Sequence, residues 1–180
     1  MIAQLSLDQV ANTISDYTLK ISSDGACKTA YVYDDDTVII STRKEYLFSY
    51  LWYTYLIKAK LLEGYILKQR DNIYIIVEKL YTTHDDKYYE IKKDSSVNML
   101  TDWSEQNEIE EMLGNWWTHF IEDFEQMIGV DLFWDAQPEN IGFNKNGSVI
   151  PFDIVEVLYE DAISNFERLY KIFEEWGVSF

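Results

Sequence analysis

The sequence predicts an α+β fold with a β-rich first half and a helical second half. Short runs of β-branched and aromatic residues, separated by polar turns, fill residues 17–80. From residue 105 onward, apolar residues recur at helical spacing over longer stretches. With 47% hydrophobic and 16% aromatic residues, the 180-residue chain has material for a packed core and is too apolar for a disordered acidic tail.

Taken in order, residues 5–16 predict a short helix with Leu5, Leu7, Val10 and Ile14 roughly on one side. Residues 17–21, 29–33 and 37–42 predict strands, being rich in Tyr, Val, Ile and Thr. The first two are joined by a loop that begins Ser22-Ser23-Asp24-Gly25, the next two by the tight acidic turn Asp34-Asp35-Asp36. Residues 44–63 predict a helix with Leu47, Leu51, Tyr55 and Leu62 along one stripe, closed by Gly64. Residues 65–68 and 73–78 predict two more strands across an Asp71-Asn72 turn, so residues 17–80 read β-β-β-α-β-β. Residues 83–98 are charged and irregular. Residues 105–128 predict a long amphipathic helix carrying Ile109, Leu113, Trp116, Phe120, Phe124 and Met127 on its apolar side. Residues 131–140 read as a loop, and 141–143 with 149–152 as a hairpin across Asn144-Lys145-Asn146-Gly147. A helix over 155–176 completes the chain, with Leu158, Ala162, Phe166, Leu169 and Phe173 facing a core.

The net charge is −17, and residues 100–180 carry most of it, with 18 Asp/Glu against Lys145, Arg168 and Lys171. Such a field repels nucleic-acid phosphates, so direct nucleic-acid binding is not expected. It reads either as a solvated surface that aids solubility or as a mimic that occupies a basic groove on a partner protein. No stretch approaches the ~18 uninterrupted apolar residues of a membrane span. The first residues show neither a basic nor an apolar leader segment, and the single cysteine, Cys27, allows no intramolecular disulfide framework. A soluble, cytoplasmic protein is the expectation.

The chemistry-bearing segment runs from Asp131 to Ile154. Asp135 is followed five residues later by Asn140, then by the hairpin, then by Asp153 thirteen residues after Asn140. Phosphoryl transfer from Mg-ATP needs a carboxylate to orient the acceptor hydroxyl and hard oxygen ligands to hold the magnesium. A loop followed by a hairpin delivers such oxygens to one edge.

This pattern resembles the protein-kinase-like superfamily, including aminoglycoside and choline kinases and the small phage-encoded Ser/Thr kinases. Their catalytic loop has an Asp, an Asn five residues on followed by Ile or Leu, and a metal-binding Asp about thirteen residues further; Asp135, Asn140-Ile141 and Asp153 match. Pro138 also fits the small-molecule kinase version of the loop. The resemblance, which covers roughly residues 17–155, implies a two-lobed kinase-like fold. Residues 1–80 form an N-terminal sheet lobe with one helix, and 81–180 a truncated helical lobe carrying the catalytic loop and metal-binding hairpin. It implies ATP and Mg2+ as cofactors, Asp135 as the catalytic carboxylate, and Asn140 and Asp153 as metal ligands. It places Gly25 and Lys28 at the phosphates, and Glu78 and Leu80 at the hinge that holds adenine.

The sequence departs from the family at several points. The strand-three lysine position is Ile40, so a phosphate contact falls to Lys28, which the sequence places in the Gly25 turn, or to Lys20 or Arg43. One kinase family does relocate its lysine to that loop. The Gly-rich loop has only Gly25, Phe133 stands where the family has a His, and the helix carboxylate is at best Glu45. Only 27 residues follow Asp153, which predicts no full peptide-binding platform. Cys27, His84, His119 and the Trp116-Trp117 pair read as packing or surface residues. Two functions follow. One is a compact Mg-ATP phosphotransferase acting on a protein Ser/Thr or a small hydroxyl compound. The alternative is a catalytically dead kinase-like binding protein, an inhibitor of phage or mobile-element type, docking its acidic surface on a basic partner.

Overall fold

The computed structural model describes residues 1–21, 28–43, 47–82, 85–86, 90, 122–126, 133–134, 140–153, 155–156, 171 and 175. Outside these lie Gly25, Cys27, Glu45, His84, His119, Trp116, Trp117, Asp135 and Pro138, with the larger parts of the two long helices expected at 105–128 and 155–176.

Helix α1 spans Leu7–Ser15 and starts at a reciprocal cap. The Ser6 hydroxyl accepts the Gln9 N–H at 3.3 Å while the Gln9 side chain accepts the Ser6 N–H at 2.9 Å. The strand expected at 17–21 is instead a 3-10 turn over Tyr17–Leu19 followed by a single bridge between Lys20 and Tyr31. Asp16 is the cause. Its carboxylate accepts both the N–H (3.0 Å) and the hydroxyl (2.6 Å) of Thr18, a local turn that competes with a sheet ladder. Those same hydrogen bonds hold the Asp16 carboxyl below the usual carboxylate range.

Strands β1 (Lys28–Val32) and β2 (Thr37–Arg43) flank the expected acidic turn. Helix α2 (Leu47–Lys58) follows, then β3 (Gly64–Gln69) and β4 (Asn72–Glu78), joined by a two-residue turn at Arg70-Asp71. The four strands form one antiparallel sheet in the order β1-β2-β4-β3. Gly64 does not close α2. Lys60 does, at φ 60°, with Leu61 N–H donating to Leu56 C=O at 2.9 Å and Lys60 N–H to Ile57 C=O at 3.1 Å. Gly64 is needed for another reason, since a Cβ there would stand 2.8 Å from the Ile76 carbonyl oxygen.

The ladder pairs put Tyr31, Ile39, Ile76 and Tyr65 on one sheet face, and Ala30, Ile40, Ile75 and Ile66 on the other. The first face packs with Leu5, Leu7, Val10 and Ile14 of the α1 region. The second meets α2, whose Ile57 approaches Gly64 and whose Tyr50 lies under the Lys68 ammonium. On its far side α2 meets Phe124, edge-on to Trp52 at 5.1 Å, and its Trp52 indole donates to the Pro151 carbonyl at 2.8 Å. Packing on both sides buries Tyr50, Leu51, Trp52, Tyr53 and Leu56, so α2 is an all-round apolar helix rather than the single-striped one expected.

Residues 122–126 are helical, as expected there. The loop expected at 131–140 contains a short strand, β5 (Phe133–Trp134), which pairs with β8 (Val155–Glu156); the final helix therefore does not begin at Val155. Between them, β6 (Ile141–Phe143) and β7 (Val149–Pro151) form the expected hairpin. Among the described residues no helix is long and apolar enough to cross a membrane.

Candidate functional site

The hairpin turn is written in its residues. The Asn144 side-chain oxygen accepts the N–H groups of Asn146 and Ser148, both at 2.9 Å, and Gly147 takes φ 80°, a conformation glycine adopts without strain. With β6 and β7 thus in register, the Asn140 carbonyl accepts the N–H of Phe152 at 2.9 Å and of Asp153 at 3.3 Å. Two motif residues separated by thirteen positions become backbone neighbours. The β5–β8 pair adds a second tie, setting Trp134 opposite Val155. Asp135, the residue after Trp134, lies outside the described residues.

The hairpin is fixed to the sheet half by its own contacts. Tyr81 and Phe143 exchange backbone hydrogen bonds of 2.8 and 3.0 Å. Gly142 lets Leu80 approach so closely that a Cβ would come within 2.9 Å of the Leu80 Cβ. With the Trp52–Pro151 bond, these contacts bring the exit of β7 to α2.

Lys28 stands at that exit. It is the first residue of β1, not part of the Gly25 turn, and its register partner is Thr42, two residues from Ile40. Alternation puts Lys28, Ala30, Ile40 and Thr42 on one face. A lysine on β1 thus serves the face from which a lysine at Ile40 would project, while Ile40 itself is buried between Ala30 and Ile75.

The Lys28 ammonium forms an ion pair with the Asp153 carboxylate; the side chains are 16% and 37% exposed. It also lies 5.3 Å from the centre of the Tyr53 ring and 6.0 Å from that of Phe152. Burial first, and the Asp153 carboxylate second, push the Tyr53 hydroxyl well above the ordinary phenol range. The structure therefore gathers Lys28, Asp153 and the backbone of Asn140, with Tyr53 and Phe152 around the cation.

Asp153 contributes a partly exposed carboxylate, a hard donor of the kind that magnesium takes together with nucleotide phosphates and water, while Asn140 is placed there by its backbone carbonyl. Among the described residues no cluster of three or more His, Cys, Asp and Glu side chains assembles.

Leu80 packs on Gly142 of the hairpin. Glu78 is buried at the end of β4, and its carboxylate accepts the Glu63 N–H at 3.0 Å, bracing the link from α2 to β3. It lines a cavity of about 410 Å3 shared with Lys60, Gly64, Asn144 and Lys145. Neither Lys28, Asn140 nor Asp153 borders that cavity, so this open cleft and the charged constellation are separate features. Lys20 is the bridge partner of Tyr31, and the backbone of Arg43 pairs with Asn72.

Sequence reasoning missed Tyr53 and Phe152. Tyr53 carries no distinguishing signal in a helix that is aromatic throughout. Phe152 has one, since it immediately precedes Asp153 at the end of a strand. A scan against protein-family models and a search of curated proteins find no match to this chain.

Proposed function

We propose that the chain is a compact Mg-ATP-dependent phosphotransferase of the kinase-like kind, acting on a protein Ser/Thr or a small hydroxyl compound. The observation that carries this reading is the meeting of Lys28, Asp153 and the Asn140 backbone at one edge. The element order of residues 28–78, strand-strand-helix-strand-strand, supports it, as does the placement of Lys28 on the sheet face of Ile40.

In this reading Asp153 and Asn140 hold a magnesium ion, whose charge offsets that of the nucleotide phosphates. Lys28 donates hydrogen bonds to phosphate oxygens, taking the role that Ile40 cannot fill. The Lys28–Asp153 ion pair holds the two side chains together before nucleotide arrives. Asp135 accepts the acceptor hydroxyl's hydrogen bond and orients it for in-line attack, which is the role the resemblance implies.

The test is thermal unfolding with and without Mg-ATP, on wild type and Asp153→Ala. A ligand that binds only the folded state raises the midpoint once its concentration exceeds its Kd. A magnesium-dependent rise that disappears in the variant supports the site. An unchanged midpoint at excess Mg-ATP overturns it.

The second reading, a catalytically dead kinase-like binder, is favoured by the charge, −17 overall with a net of −15 in residues 100–180. A partner held by that field would be basic, and its binding would weaken steeply with added salt. Salt-insensitive binding contradicts this reading.

A further inference from the structure

The Lys28 ammonium has two kinds of neighbour. Asp153 balances its charge; Tyr53, from α2, and Phe152, from the exit of β7, offer ring faces within the range over which a cation is attracted. The difference matters for a lysine that must meet phosphate. A carboxylate neutralises the cation it holds, and it is itself the group a metal would engage. A ring attracts the cation through its quadrupole and leaves the full positive charge in place.

We propose that Tyr53, together with Phe152, forms an aromatic seat for the Lys28 ammonium, making Tyr53 a positioning residue that holds the lysine whether or not Asp153 is bound to it. The walls of the seat come from two elements: Tyr53 is buried in α2, and Phe152 is tied to Asn140 through its backbone N–H. Phe152 and Asp153 are therefore set by the same hairpin, and Tyr53 by α2. This inference rests on the nucleotide reading for its purpose, but the seat itself does not.

The experiment measures acylation of the Lys28 amine by a soluble N-hydroxysuccinimide ester, followed by mass spectrometry, in wild type, Tyr53→Phe and Tyr53→Leu. The ring, not the hydroxyl, forms the seat, so Tyr53→Phe reacts at the wild-type rate. Tyr53→Leu reacts about fivefold faster, as loss of a partly desolvated cation–π contact supports. Lys68, which lies over Tyr50, keeps its rate in all three proteins. Equal Lys28 rates in Tyr53→Leu and wild type overturn the seat.

Should Tyr53→Leu fail to fold, the wild-type NMR spectrum decides. Ring currents place the Lys28 ε-methylene protons upfield of those of exposed lysines such as Lys58, whereas coincident shifts overturn the seat. Added Mg-ATP separates the two ideas. Protection of Lys28 in wild type supports the nucleotide reading, and its absence counts against that reading while leaving the Phe–Leu comparison to decide the seat.

Discussion

The two faces of the β1–β4 sheet are built to different rules. The face toward α1 joins Tyr31, Ile39, Tyr74 and Ile76 to Leu5 and Val10, a continuous apolar contact. The face toward α2 is apolar at its centre, with Ile40, Ile75 and Val77. Its outer row, Lys28–Thr42–Ile73–Lys68, carries a lysine on each edge strand. Both lysines lie 5.3 Å over tyrosine rings of α2, Lys28 over Tyr53 and Lys68 over Tyr50. Resting a cation on an aromatic ring is thus the general way this face accommodates charge at its edges. What distinguishes Lys28 is the Asp153 carboxylate, brought from the hairpin. One face is a continuous apolar contact, and one corner of the other brings a lysine and a carboxylate together.

That contrast can be broken by mutation. Trp52→Ala removes the largest buried side chain of α2 along with its bond to Pro151, and should cost about 4 kcal/mol in chemical denaturation. Ile39→Ala, at the centre of the α1 face, should cost about 3 kcal/mol. A loss under about 1 kcal/mol in either would mean that these contacts do not carry the fold.

Alkaline pH probes the α2 side. The Tyr53 hydroxyl has its pKa raised in the folded state, so the unfolded chain releases that proton first. Stability is fully present below the unfolded value of about 10 and falls as pH rises above it, by about 1.4 kcal/mol per pH unit for each such tyrosine. A flat stability profile above that pH, measured by urea unfolding, would mean that Tyr53 is not buried.

Smaller effects sharpen the comparison. Ser6→Ala should cost about 1 kcal/mol by uncapping α1. Lys28→Met should cost less than about 1 kcal/mol, because Asp153 is exposed enough to be hydrated when left alone. The same substitution should lower Mg-ATP affinity at least about tenfold by calorimetry, removing a charge-assisted contact to phosphate. A large stability loss with unchanged nucleotide affinity would make Lys28 a structural residue only.

The sheet was legible because β2 and β4 announce themselves through Val38-Ile39-Ile40 and Ile73–Val77, β-branched runs with turn residues at their ends. The hairpin was legible through Asn144–Gly147, and with it the approach of Asn140 to Asp153. Residues 17–21 misled because Asp16 captures Thr18 locally, a choice that strand propensity does not see. Helix α2 misled because a single-stripe reading assumes one buried side, while sheet and hairpin cover both. Lys60 at φ 60° has no signature in its residue type. The Lys28–Asp153 pair joins the first strand of the sheet to the end of the hairpin, a contact that only the assembled fold defines.

Paramagnetic mapping tests the central claim most directly. With Mn2+ replacing magnesium in the presence of ATP, NMR signals near the bound metal broaden. The account predicts broadening at Lys28, Asn140, Phe152 and Asp153, and none at Lys60, Gly64 and Asn146 around the separate cavity. Broadening centred on that cavity, or none at either place, would contradict it.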